Sequence, residues 1–397
     1  MSIPAIPPAE LTVRLQQLGA LLAVHEELWR PSPFHVPRPR WCQAYPDYAV
    51  HLLSLEDDQV RTLADDNQAL IQLAAGFVPG LQELAGLICL PRVQDRPVPQ
   101  GPALACHVPG RKQAQIDAFA AGVGVPVAPV LEWCAGKGHL GRLISHRWQR
   151  PVLSLELDDA LCREGEELAG RARVRQEFVI GDALHLASQE HLHGRHTLAL
   201  HACGDLHLAL LRGAVAQESP ALDLAPCCYH RIATREYVPL NPEADLRLSR
   251  DELHLAVTET VTAGARERRQ RDRAMAWKLA FLEWRSTLGI PRQRTFKSVP
   301  GAWYAQGFAD WLQRLTQRES LSPPPSDAAV AWENQGWARQ REVVRLDLAR
   351  LSFRRPLEIW LALDRALILA RHGYRVGLAE FSDRHTTPRN LLISARL

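Results

Sequence analysis

Three glycines, Gly136, Gly138 and Gly141, fall in the stretch EWCAGKGHLG (Glu132–Gly141), directly after the apolar run VAPVL. Their G-x-G-x-x-G spacing suits a turn whose backbone approaches a ligand with no side chain between them. It equally suits a tight turn between a strand and a helix, so the acids that follow have to decide. The second apolar run, PVLSLEL, carries Glu156, 24 residues after Glu132, where a carboxylate can accept both hydrogens of a ribose diol. The third, RQEFVIGDA, ends in Gly181-Asp182-Ala183, where a carboxylate can accept from an adenine amino group. Glycine loop, ribose acid and adenine acid thus come in order at successive strand ends, where open α/β sheets bind ligands. The first loop alone also fits a dinucleotide enzyme. A late hairpin, and the lack of a second mononucleotide-binding half after the fourth strand, argue against that rival.

A second group of reactive side chains lies further along. His201, Cys203 and Asp205 sit in HACGD, and Cys227, Cys228, Tyr229 and His230 in CCYH. A base such as Asp205 or His230 could take the proton from an amine acceptor. The thiols and imidazoles fall at the ends of adjacent strands. They fit a pocket wall, substrate contacts, core packing or a zinc site. Adjacent cysteines seldom both ligate one tetrahedral ion, and the chain contains no C-x-x-C, so no metal is expected.

These residues need a scaffold. Residues 1–110 read as a mainly helical region, with apolar residues at three- and four-residue steps interrupted by the prolines of RPSPFHVPRPRWCQAYP. From about residue 127, short apolar runs alternate with helical segments: VAPVLEWC, PVLSLEL, RQEFVIGDA, HTLALHACGD and ALDLAPCCYH read as five strands. Such alternation implies right-handed crossovers and a parallel sheet covered on both faces. After His230 the strand signal stops, and residues 231–355 read as a helical, basic insertion. A long apolar helix, PLEIWLALDRALILARHG, then leads to YRVGLAEFSD and NLLISARL, two strands joined by RHTTPR as an antiparallel edge. The expected fold is α/β: a Rossmann-like sheet of seven strands, built from residues 111–230 and 356–397, mostly parallel with an antiparallel terminal hairpin.

With 397 residues, 46% of them apolar, the chain can bury two or three packed units. It has no unbroken apolar run long enough for a membrane helix, and its amino terminus lacks the pattern of a secretory signal. Eight scattered cysteines without scaffold spacing suit a reducing cytoplasm. Net charge is only +3, but Arg266–Lys297 holds ten Lys/Arg against three Asp/Glu. Only four of the 47 basic residues are lysines, and arginine's fork of donors suits phosphate. ARERRQRDRAMAWKLAFLEWR adds Trp277 and Trp284 to its arginines, so bases stacking on the tryptophans is one expectation for the 262–297 insertion. An amphipathic helix with a solvated arginine face and buried tryptophans is the other.

The stretches GKGHL (136–140), HACGDL (201–206), CCYH (227–230) and PRNLLI (388–393), with a weaker match at RKQAQI (111–116), carry a resemblance. The chain resembles a class I S-adenosylmethionine-dependent methyltransferase. Within that class it is similar to a divergent group that includes eukaryotic methyltransferase-like proteins described as ribosomal RNA adenine dimethylase domain-containing. The resemblance implies S-adenosyl-L-methionine as cofactor and methyl transfer to a nitrogen or other nucleophile of RNA or protein. It also implies Gly136 and Gly138 along the methionine part, Glu156 at the ribose, Asp182 at the adenine, and the 201–205 segment facing the sulfonium. Glu132, Cys134, Lys137, His139 and Ala183 complete the expected cofactor-binding set; Asp205, His201, Cys203, His230 and Tyr229 form the expected catalytic set. Where base-methylating enzymes often carry an Asn/Asp-Pro-Pro-aromatic tetrad, this chain has ACGD at the fourth strand and PCCY at the fifth. A methyltransferase-like module that only docks RNA or a ribosome is the alternative.

Overall fold

The computed structural model describes residues 3–93, 108–258, 264–292, 294 and 296–397; Cys106, Thr262 and Ala263 lie outside them. Strands form where the apolar runs predict them: β1 Val130–Trp133, β2 Val152–Glu156, β3 Gln176–Ile180, β4 His196–Cys203, β5 Ala221–Cys227, β6 Arg375–Glu380 and β7 Leu391–Arg396. They make one seven-stranded sheet in the order β3-β2-β1-β4-β5-β7-β6. The pairs β3/β2, β2/β1, β1/β4 and β4/β5 are parallel. β7 runs antiparallel to both β5 and β6. The strand order reverses between β1 and β4, so the ends of β1, β2 and β4 border one crevice. β1 and β5 are buried along their whole length, as strands covered on both faces must be.

The chain divides into two compact units. The first comprises Met1–Val24, Glu83–Thr262 and Arg354–Leu397 and contains the sheet; the second comprises His25–Gln82 and Ala263–Phe353. The expected 1–110 region is therefore shared. The Pro8–Val24 helix belongs with the sheet, and the helices from Glu26–Trp29 to Asn67–Ala75 belong with the insertion. Helical periodicity reports which face is apolar, not which partner covers it. The strand signal also continues slightly past His230, in a small antiparallel pair, Glu236–Tyr237 with Leu248–Ser249.

In the first unit the Arg354–Arg371 helix is buried on nearly every side. Its inward Asp364 accepts hydrogen bonds from the Tyr237 hydroxyl, from the Leu240 and Asn241 amides, and from Asn241 Nδ2. That meets the requirement that a buried charge be multiply hydrogen-bonded. In the second unit, Trp277, Phe281, Trp284, Phe308 and Trp311 form the core. Trp277 donates to Glu333 Oε1 at 2.8 Å and stacks on Tyr304 at 5.5 Å. Both Trp277 and Trp284 are buried, so the expectation that they stack on bases is corrected: an aromatic ring already covered on both faces has none to offer. Arg266, Arg268, Arg269, Arg271 and Arg273 are exposed on the same helix. Among the described residues no helix is long and apolar enough to cross a membrane.

The sheet is pinned at the base of β4 and β5 by a polar cluster in which His196 and Asp223 are fully buried and Arg396 partly so. The Val127 amide donates to His196 Nδ1 at 3.4 Å, which leaves Nε2 to donate to Asp223 Oδ2 at 2.6 Å. Arg396 on β7 donates to the same carboxylate at 2.9 Å. Burial opposes the charge on Asp223, but His196 and Arg396 hold its carboxyl below the usual range. Removing one partner strands the others away from water. Asp223→Ala should lower unfolding free energy by about 3–5 kcal/mol, whereas Asp58→Ala, at an exposed ion pair, should change it by less than about 1 kcal/mol. Urea denaturation of the two variants checks this.

Candidate active site at the strand ends

Below the glycine loop lies Glu132, on β1 and only 4% exposed. Its carboxyl accepts from Ser154 Oγ on β2 at 2.8 Å and from Gln176 Nε2 on β3 at 3.3 Å. Gln176 Nε2 also donates to Ser154 Oγ at 2.8 Å and to the Gly138 carbonyl at 3.0 Å. This polar knot explains two of the three glycines. A Cβ on Gly138 would lie 2.3 Å from Gln176 Nε2, and one on Gly141 would lie 2.5 Å from Glu132 Oε2. Those two are demanded by packing from beneath. Gly136 differs. Its φ of +58° is left-handed, and among the described residues nothing lies within 4 Å of where a Cβ would stand, so it presents bare backbone to open space.

The side chains expected around a cofactor separate into two sets. Glu156, at the end of β2, accepts from the Gly136 amide at 2.7 Å, and from the Leu157 and Asp158 amides at 2.9 and 3.1 Å. It thereby holds the glycine loop against the second strand end. Asp182 accepts from the Leu184 amide at 2.9 Å through Oδ1, with His185 3.6 Å from Oδ2. Ala183 beside it is buried. Cys134 takes a left-handed φ of +57°, and burial pushes its thiol up to about 12, with the Glu156 charge adding to that. Glu132 points down into the knot, Lys137 pairs with Glu164 at 2.5 Å, and buried His139 meets Arg142 through Nδ1. These three build the loop's frame.

At the ends of β4 and β5 the chain is tightly folded on itself. Gly204, at φ +55°, is so close to the Arg231 carbonyl that a Cβ would stand 1.8 Å from it. Asp205 accepts from the Ala233 amide at 2.7 Å, and its own amide donates to the Arg231 carbonyl at 3.0 Å. The carboxylate read from sequence as a base thus holds the turn after β5. Tyr229 is completely buried, edge-on to His207 at 5.6 Å and under the Arg365 guanidinium at 4.8 Å. Burial drives the Tyr229 hydroxyl well above its ordinary range. The side chain of His201 lies outside the described residues. His230 is half-buried, 4.8 Å from the His254 ring, with no partner at Nδ1 among the described residues. Burial, reinforced by His254, lowers its pKa, so its imidazole is neutral near pH 7 and able to accept a proton.

Three thiols converge beside it. Cys203 and Cys227 are register partners on β4 and β5, with sulfurs 3.2 Å apart, and the Cys228 sulfur lies within 4.8 Å of both. Hydrogen bonds from Cys203 and Cys227, with Arg389 and Arg231 nearby, hold the Cys228 thiol far below its ordinary range. Two residues that sequence reasoning passed over, Arg231 and Arg389, are thus part of the site. Arg389 comes from the PRNLLI stretch, whose Asn390 is fully buried and donates to the Ser382 carbonyl at 2.7 Å.

Residues 111–235 match the family model described as a methyltransferase domain. Among solved structures, the chain is similar to a Pyrococcus abyssi tRNA (uracil-54, C5)-methyltransferase in complex with S-adenosyl-L-homocysteine. Identity is 13%, over 30% of this chain and 28% of that one, with a TM-score of 0.25. An RNA methyltransferase from Salinibacter ruber, in complex with S-adenosyl-L-homocysteine, is 17% identical over 34% of this chain and 84% of that one, with a TM-score of 0.27. A coclaurine N-methyltransferase bound to N-methylheliamine and S-adenosyl-L-homocysteine is 12% identical over 89% and 97%, with a TM-score of 0.29. The chain spans 28% of the length of the first of these. The match over 111–235 lies on the parallel part of the sheet, so that segment is similar to a methyltransferase domain in sequence and carries a Rossmann-like arrangement of strands.

Burial raises the Glu132 carboxyl to about 7, against the lowering effects of Ser154, the Gly141 amide and Arg142. A raised carboxyl keeps its proton in the folded chain over a range where the unfolded chain has released it. Stability from this group is therefore present below the unfolded value near 4.5 and is lost as pH rises to 7. Between pH 5 and 8 the native protein should lose on the order of 3 kcal/mol that Glu132→Gln does not lose. Urea denaturation of both proteins at the two pH values gives the difference directly.

Proposed function

We propose that the protein transfers a methyl group from S-adenosyl-L-methionine to a nucleophilic atom of RNA. The observation that carries this reading is the bare Gly136 backbone, held by Glu156 at a strand end and flanked by Asp182 at the next. When bound, the cofactor supplies a methyl already activated on a sulfonium, so the protein's share is alignment and exclusion of water. Gly136 would lie along the methionine part and Glu156 near the ribose. Glu156 Oε2 accepts one backbone amide, which leaves it capacity for a hydroxyl. Asp182 Oδ2 would receive the adenine amino group. His230, neutral near pH 7 and with no described partner at Nδ1, would take a proton from the acceptor.

RNA is favoured over protein by the second unit. The exposed arginines 266–273 suit phosphates. In the same unit Lys278, Arg292, Arg294 and Lys297 line one cleft together with Phe34 and Phe296. Cations beside aromatic rings are what an unstacked base and its phosphate require.

Calorimetry with S-adenosyl-L-methionine tests the cofactor placement. Asp182→Ala should weaken binding about tenfold, the value of one lost hydrogen bond to a polar group; unchanged affinity removes Asp182 from the adenine. The acceptor is tested by radiolabelled methyl transfer to a cell extract, followed by ribonuclease or protease. Label that resists protease and is released by ribonuclease is expected, and the opposite pattern assigns a protein acceptor.

A further inference from the structure

We infer that Cys203, Cys227 and Cys228 form a three-sulfur site for a thiophilic divalent cation, for which Zn2+ is the probe. The spacing of the cysteines in the sequence argues against it, because side chains of neighbouring strand residues point to opposite faces. The structure removes that objection. Cys227 is the last residue of β5, and Cys228 takes a left-handed φ of +45°, which returns the second thiol towards the first. A non-glycine residue seldom adopts that conformation unless its surroundings hold it there.

Distances agree with an ion of this class. Three sulfurs 2.3 Å from a tetrahedral zinc stand about 3.8 Å apart. Here the Cys203–Cys227 separation is 3.2 Å and no pair exceeds 4.8 Å, so small side-chain adjustments reach that geometry. Two of the ligands are register partners on adjacent parallel strands, and such a pair needs no loop movement to stay together. Charge agrees as well. Three thiolates around a divalent ion leave one negative charge, and Arg231 and Arg389 lie near Cys228 to balance it. Binding expels the remaining thiol protons to solvent and moves no electrons. A three-sulfur set leaves the fourth position open.

The full-length chain, reduced with a phosphine and stripped of metal, is titrated with Co2+ and then with Zn2+. One equivalent of Co2+ should give thiolate-to-cobalt charge-transfer absorption, abolished by one equivalent of Zn2+. Cys228→Ser and Cys203→Ser should each weaken binding at least tenfold, while Cys42→Ser leaves it unchanged. The native chain gives a measurement independent of folding in the variants. One equivalent of Zn2+ should slow alkylation of Cys203, Cys227 and Cys228 at least tenfold, read by peptide mass spectrometry, with Cys89 as the unaffected reference. Absence of charge transfer, undiminished binding in Cys228→Ser, or unprotected alkylation of the three thiols overturns the site.

Discussion

The glycine loop is shaped from below, by one carboxyl group that water scarcely reaches. Glu132 ties β1 to β2 through Ser154 and to β3 through Gln176, and Gln176 in turn holds the loop at the Gly138 carbonyl. A buried acid with three donors on it is stable only while those donors keep their places. Gly138 and Gly141 follow from that knot, since any side chain there would displace Gln176 or Glu132 itself. Two of the three glycines therefore serve the floor of the site, and their service leaves Gly136 projecting above it. The three glycines thus differ in what requires them: packing from beneath at Gly138 and Gly141, a left-handed turn facing open space at Gly136.

A similar division runs through the acids at the strand ends. A carboxylate at the start of a crossover faces a row of amides without internal partners and will be drawn to them. Glu156 takes three of these amides and Asp205 takes Ala233. Glu156 does so while reaching back to Gly136. Asp205 reaches forward, and its turn is closed by contact between Gly204 and the Arg231 carbonyl. The same residue type at equivalent places in the sheet thus has different work, set by which amides lie within reach. Sequence gives the residue type and the strand end, but not the reach.

That limit explains what was legible beforehand. The sheet was readable because period and composition of each strand are local: seven apolar runs became seven strands, and the hairpin fell at RHTTPR. Gly136, Glu156 and Asp182 come in series because the parallel crossovers place the ends of β1, β2 and β3 side by side at one edge of the sheet. Glu132 was not, since a strand residue's neighbours across β2 and β3 lie 22 and 44 positions away. Tyr229 belongs to the expected catalytic set, but Arg365, far along the chain, covers its ring. Trp277 and Trp284 sit beside arginines in sequence and inside a hydrophobic core in space. The partition of residues 1–110 between two units rests on packing partners hundreds of residues distant, such as Arg345 donating to the Leu55 carbonyl.

The long separation of PRNLLI from CCYH then acquires a physical meaning. Asn390 is locked to Ser382, and Phe381 donates its amide to Asn390, so the β6–β7 connection has a fixed course. That course delivers Arg389 beside Cys228, 161 positions earlier in the chain. A guanidinium set there by a rigid turn favours a negative sulfur at all ordinary pH values, because arginine does not give up its proton. Stretches that looked like separate signatures are parts of one electrostatic arrangement: the terminal hairpin supplies the cation, the left-handed turn supplies the sulfur, and β4 supplies its partner. The carboxyl-terminal strands therefore bring a cation to the thiol cluster as well as closing the sheet.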